Sequence, residues 1–307
     1  MSDTGRREGR WRRLLLRVLL YGGALTVGLP LAFSLTLTRG QRQPTLSPPA
    51  PFEELRFESE AGVRGRPLTL RAWLLRAPVP VERERPPVVV VHGLGDSVES
   101  FVDAARRLAE RGHVVLLLDL RGHGGSGDAP TTLGAHESGD VRAALRELRG
   151  RGLGRRGFVL LGNSMGAVAV LLAAAGRDDV RAVIAEAPFD SYRDTVAHHA
   201  RLFYGLPPWL PLIPWTIALT EWRAGFDADD VDAVRAAGRI DASLLLIADG
   251  DDARMPERVV RRVFDAHAAA RPGRTWLWVA PGAAHSGAGL SPDYWPRVFA
   301  FLDAAGA

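Results

Sequence analysis

Along most of the chain the apolar positions gather into short, nearly unbroken runs. Such runs stand at Val88–Val91, Val114–Leu118, Phe158–Leu161, Val180–Ala185, Leu244–Ala248 and Thr275–Val279. Runs this short, rich in branched residues, predict strands covered on both faces. Between them the apolar spacing changes to that of helices, around Val98–Arg111, Gly139–Arg149, Met165–Ala175, Glu257–Ala270 and Pro292–Ala304. Two further strand-like runs, Leu55–Ser59 and Leu68–Leu75, come first and suit an antiparallel edge. The alternation predicts an α/β fold: a mostly parallel sheet with helices on both faces. Residues 189–240 break it with four prolines and three tryptophans, Trp209, Trp215 and Trp222. They read as a lid of short helices inserted between two strands.

One apolar run is of another kind. Val18–Thr38 contains no charged residue. As a helix its 21 residues rise about 31 Å, enough to cross a bilayer core. Six arginines precede it within residues 1–17, and only Arg39 and Arg42 follow closely. The positive-inside bias predicts a single-pass anchor with a cytoplasmic basic tail (1–17), a transmembrane helix (18–38) and the body on the far side. The rival is a cleaved secretory signal, whose best site, Ala32-Phe33-Ser34, is poor. A Pro/Gln/Ser-rich stretch, residues 39–51, reads as a linker that detaches the helix from the body, residues 52–307. Deleting residues 1–42 is then expected to leave a soluble, active protein.

The chain has 307 residues, 47% apolar and 24% charged, an ordinary globular balance. It has no Cys, which excludes disulfides, thiolate metal sites and a Cys nucleophile. The net charge of +4 resides entirely in residues 1–17, and the other 290 residues balance at 33 basic and 33 acidic side chains. A neutral body argues against nucleic acid as a partner.

Gly162-Asn163-Ser164-Met165-Gly166 is a G-x-S-x-G. Alone the motif is weak, but here it follows the Phe158–Leu161 strand and opens the Met165–Ala175 helix. That is the strand–turn–helix context of a nucleophile elbow. The flanking glycines suit a turn too tight for side chains, and the helix N-terminus favours developing negative charge.

With this motif the body, about residues 52–305, resembles the α/β-hydrolase superfamily, most of all its monoglyceride-lipase-like and serine-aminopeptidase-like branch. The further motifs fall in family order: His92-Gly93-Leu94-Gly95, then Asp119-Leu120-Arg121-Gly122-His123-Gly124-Gly125-Ser126, the serine turn, an acidic loop and a late His. The resemblance implies a Ser-His-Asp triad with Ser164 as nucleophile. It places the acid at Asp252, counted from Pro256, with Asp251 and Asp249 as alternatives. Asp249 stands where the family usually has Gly, and the two alternatives read otherwise as solvated turn residues. His285 is the last His in the chain, and the order Ser…Asp…His is that of the fold's triad. His198 and His199 read as packing or rim residues of the lid. The oxyanion hole is expected from the backbone N–H of Met165 and, by resemblance, of Leu94.

These residues predict a serine hydrolase acting through an acyl-enzyme on an ester, possessing no metal or other cofactor. The apolar lid suits a hydrophobic, lipid-like substrate, although its tryptophans could equally pack on the body. Peptidase, thioesterase and acyltransferase activities use the same triad. A Ser at the elbow argues against the Asp-nucleophile dehalogenases and epoxide hydrolases. A non-catalytic binding protein of this fold would be expected to lack a triad member.

Overall fold

The computed structural model describes residues 3–43, 45–59, 65–78 and 85–307, with the backbone alone for residues 3–8. Eight strands form one sheet: β1 (Glu53–Glu58), β2 (Thr69–Leu75), β3 (Arg85–Val91), β4 (His113–Leu118), β5 (Phe158–Asn163), β6 (Val180–Glu186), β7 (Ser243–Asp249) and β8 (Thr275–Ala280). Their order across the sheet is β1-β2-β4-β3-β5-β6-β7-β8. β2 runs antiparallel to both β1 and β4, and every other pairing is parallel. β4 is buried along its whole length and β3 beyond its first residue, as strands covered on both faces must be.

The ten α-helices of the described residues divide around this sheet. α1 (Asp3–Gly23) and α2 (Leu29–Leu37) are joined by a π-helical turn, and α3 (Val102–Glu110) follows β3. Next come α4 (Ala135–Gly150), α5 (Met165–Ala174) and the lid helices α6 (Tyr192–Tyr204), α7 (Leu212–Ala224) and α8 (Ala233–Ala237). α9 (Glu257–Ala270) and α10 (Tyr294–Ala304) complete the chain. α3 and α10 close one core with Trp73, Val90 and Ile184. α4, α5, α9 and the lid close the other with Val89, Leu160 and Leu246. Adjacent residues of β3, Val89 and Val90, thus feed opposite cores, as the period of two requires.

The Asp119–Ser126 segment is a structural knot. Asp119 accepts from Arg71 Nε at 2.8 Å, Gly125 N at 2.9 Å and Val98 N at 3.0 Å. Arg121 grips Asp140 of α4 at 2.6 and 2.9 Å, and both are buried. Removing one partner of such a pair leaves the other charge buried and uncompensated.

The N-terminal helix departs from the reading of a detached segment. Gly9–Leu37 forms 29 residues of apolar helix, long enough to cross a membrane, and most of it is exposed. Its last part, α2, lies on α7, with Pro30 and Ser34 buried. Ser34 Oγ accepts from Arg223 at 2.8 Å, and the Phe33 ring meets that of Tyr204 edge-on at 5.2 Å. The stretch after it is also fastened: Thr131 N donates to Thr38 O at 3.1 Å, and Arg42 pairs with Asp128 at 2.7 Å. Residues 39–43 form no regular element, as a linker would, yet they are bonded to the body.

Candidate active site

From β3 the chain turns through α3 to β4 on one side, and from β5 through α5 to β6 on the other. The neighbouring strand ends are therefore a topological switch point, where loops part and leave a crevice. Ser164 sits there, at the end of β5, with φ 50° and ψ −116°. A positive φ costs a serine conformational energy, and such strain persists only where the surroundings fix it. They do: Ser164 N donates to Glu186 O at 2.8 Å. A Cβ on Gly162 would collide with the Gly166 carbonyl, and one on Gly166 with that of Val91. The glycines are required because backbone passes there.

Ser164 Oγ lies 2.9 Å from His285 Nε2, and His285 Nδ1 lies 2.6 Å from Asp252 Oδ2. The other Asp252 oxygen accepts from Arg254 N at 2.7 Å and Met255 N at 2.9 Å. Burial alone would raise the Asp252 pKa. The bonds from His285, Met255 and Arg254 outweigh it and hold the carboxylate below its ordinary value. A charged Asp252 accepting from Nδ1–H leaves Nε2 free to take the serine proton. Ser286 Oγ donates to Asn163 Oδ1 at 2.7 Å and ties the His285 loop to the serine turn.

The two alternative acids separate. Asp251 is exposed, as a turn residue would be. Asp249 departs from that reading: it is fully buried and accepts from Ser286 N at 2.7 Å and Ala288 N at 2.9 Å. It holds the loop that carries His285 through that loop's backbone, whereas the His285 ring is bonded to Asp252. Burial pushes its pKa up, and the two backbone bonds oppose this. Next to it lies Glu186 at the end of β6, a residue the strand pattern passes over. Burial, then the charge of Asp249, raises Glu186 to about 7.

Leu94 and Met165 both line the cavity that contains Ser164. Behind Leu94, the buried His92 accepts from Leu120 N at 3.1 Å through Nε2 and donates from Nδ1 to Gly93 O at 2.7 Å. It thereby fixes the loop to the end of β4. Burial and the neighbouring His123 lower its pKa to about 4, so it stays neutral.

The cavity measures about 260 Å³ and is walled mainly by apolar side chains, among them Leu133, Phe189, Val196, Ile213 and Met255. His199 lines it too, and its Nε2 is buried with no partner among the described residues. His198 instead reaches Ala253 O at 2.9 Å and ties the lid to the acid loop. Two of the three lid tryptophans do not pack on the body: Trp209 and Trp222 are 78% and 80% exposed, and Trp215 is half-exposed. Asp249, Asp252 and His285 bring candidate ligand atoms within 4.8 Å of one another. Those atoms are already engaged, Asp252 with His285 and Asp249 with two backbone N–H groups.

Residues 82–224 match the sequence model of the family described as "Serine aminopeptidase, S33". A curated relative, the uncharacterized protein YqkD of Bacillus subtilis (strain 168), is 28% identical over 202 residues, 65% of this chain. The alignment spans 64% of that relative's length. Among solved structures, the Pyrococcus furiosus esterase Pf2001 superposes with a TM-score of 0.64 at 21% identity, over 85% of this chain and 98% of that one. The Pyrococcus horikoshii acylaminoacyl peptidase gives 0.62 at 17%, over 82% and 41%. The α/β hydrolase GrgF from Penicillium sp. sh18 gives 0.60 at 19%, over 83% and 99%. At such identities the shared property is architecture, and with the sheet order it establishes that this chain has the α/β-hydrolase fold.

Proposed function

We propose that the protein is a serine esterase that cleaves esters of hydrophobic acids through an acyl-enzyme. The observation that carries this is the Ser164–His285–Asp252 relay, at 2.9 and 2.6 Å, opening into an apolar cavity. Ser164 Oγ attacks the ester carbonyl while His285 Nε2 takes its proton. The negative charge on the carbonyl oxygen meets the N–H groups of Met165 and Leu94. One such donor is worth roughly 2.7–4 kcal/mol in the transition state. The carbon–oxygen bond to the alcohol breaks, and His285 returns the proton to the departing alcohol. Water, activated by His285, then releases the acid and restores Ser164. Asp252 stays charged and stabilises the imidazolium.

The 29-residue helix serves in this reading as a membrane anchor, its arginine-rich start in the cytoplasm and the hydrolase domain on the other side. The family description favours a second reading, cleavage of an N-terminal amino acid from a peptide. Parallel assays with p-nitrophenyl esters and aminoacyl p-nitroanilides separate the two. Ser164→Ala is expected to abolish ester hydrolysis, by at least about a thousandfold in kcat, and labelling by a fluorophosphonate probe. Comparable turnover in a folded Ser164→Ala protein would refute the esterase reading.

A further inference from the structure

The cavity that holds Ser164 is closed on one side by Phe33, Thr36 and Leu37 of α2 and by Gln41 just beyond it. The three helical positions follow the i, i+3, i+4 spacing of a single face. The adjoining face, Pro30 and Ser34, is buried under the lid, and the outer face, Leu31 and Leu35, is exposed. One helix therefore serves as cavity wall, as seat for the lid and as an apolar outer surface. Thr36 Oγ1 donates to Ala32 O at 3.0 Å, so its hydroxyl is satisfied within the helix and makes no polar demand on the cavity. Gln43 Nε2 donates to Gly95 O at 3.1 Å, bracing the loop that carries Leu94. The outer surface continues into the 29-residue helix long and apolar enough to cross a membrane.

We propose that α2, the end of this helix, forms the acyl subsite of the enzyme. The chain of a lipid-like ester lies between α2 and the lid and enters from the bilayer that holds the helix. This rests on the esterase reading above. A chain shielded by these side chains gains roughly fourfold in affinity per methylene removed from water. The subsite exists only while residues 29–41 remain attached, so the mature protein keeps its N-terminal helix.

The test uses the full-length chain in phosphatidylcholine nanodiscs, and reads the ratio of kcat/KM for p-nitrophenyl decanoate to that for the acetate. Thr36→Trp and Leu37→Trp narrow the cavity and are expected to lower the ratio at least tenfold. Leu31→Trp and Leu35→Trp, on the outer face, are expected to leave it within twofold. Equal ratios in all four would overturn the proposal, as would a mature N-terminus at or beyond Ser34 by mass spectrometry. If the inner-face tryptophans abolish fluorophosphonate labelling, Phe33→Ala decides. It widens the wall, and is expected to raise the palmitate-to-decanoate ratio at least threefold; an unchanged ratio overturns the subsite. A wild-type chain that neither hydrolyses esters nor takes the probe instead refutes the esterase reading itself.

Discussion

Three carboxylates stand within four residues at the end of β7, and their surroundings give them different tasks. Asp252 accepts from His285 and two backbone N–H groups, Asp249 accepts from the backbone of the His285 loop, and Asp251 faces solvent. Changing Asp to Asn keeps the shape but turns one acceptor into a donor. At Asp252 that donor opposes Nδ1–H, favours the wrong tautomer and is expected to cost at least about a hundredfold in kcat. At Asp249 it faces a backbone N–H and loosens the loop, with an expected loss of roughly tenfold in kcat and little change in KM. Asp251→Asn is expected to stay within about twofold. Steady-state kinetics of the three variants checks the order, and a costly Asp251→Asn would refute this assignment. The pairing of Asp252 with His285 was legible because, by the family resemblance, Pro256 sets the register of the acid loop. The burial of Asp249 was not: a Gly/Asp-rich stretch looks like a surface turn, and the 281–288 loop that covers it comes from far along the chain.

The ends of β6 and β7 meet the first turn of α10 around Glu186, and this junction makes stability depend on pH. Glu186 is buried, receives a hydrogen bond from Tyr294, and has one oxygen with no partner among the described residues. Its pKa rises from 4.5 to about 7 through burial and the charge of Asp249. Between those values the folded chain holds a proton that the unfolded chain has lost. Stability therefore falls as pH rises from about 4.5 to about 7, by on the order of 3 kcal/mol, and levels off above. Asp249, also raised, acts in the same sense. Asp252, lowered, acts oppositely, but only below its ordinary value of 3.8. Glu186→Gln removes the titration, so urea unfolding at pH 5 and pH 8 is expected to show the variant gaining on wild type at the higher pH. A difference independent of pH would refute the coupling. The sequence hid this junction because Glu186 merely ends an apolar run, whereas the strands themselves were plain, each being a continuous branched run buried on both faces.

At the scale of the molecule, the division into anchor, linker and body followed from charge and composition, which record solvent preference but not docking. Val18–Thr38 is apolar throughout, so its pattern could not separate a face against lipid from one against protein. The fold separates them: Pro30, Ser34 and Thr38 are buried, Leu37 packs on the main core, and Arg42 is bonded to the Ser126 carbonyl at 2.8 Å. A chain lacking residues 1–28 keeps these contacts, whereas one lacking residues 1–43 uncovers the α7 side that α2 occupies. Burying one aliphatic side chain is worth about 1.5–3 kcal/mol, and 1 kcal/mol moves the melting temperature of a domain this size by about 2–4 °C. In one mild detergent, the shorter deletion is expected to melt within about 3 °C of the full-length protein. The longer one is expected to melt at least about 5 °C lower, because it also loses the Arg223–Ser34 bond. Thermal melts of the three chains followed by circular dichroism decide the matter. Equal melting temperatures would mean that α2 contributes nothing to the folded body and that residues 39–51 are the free linker their composition suggests.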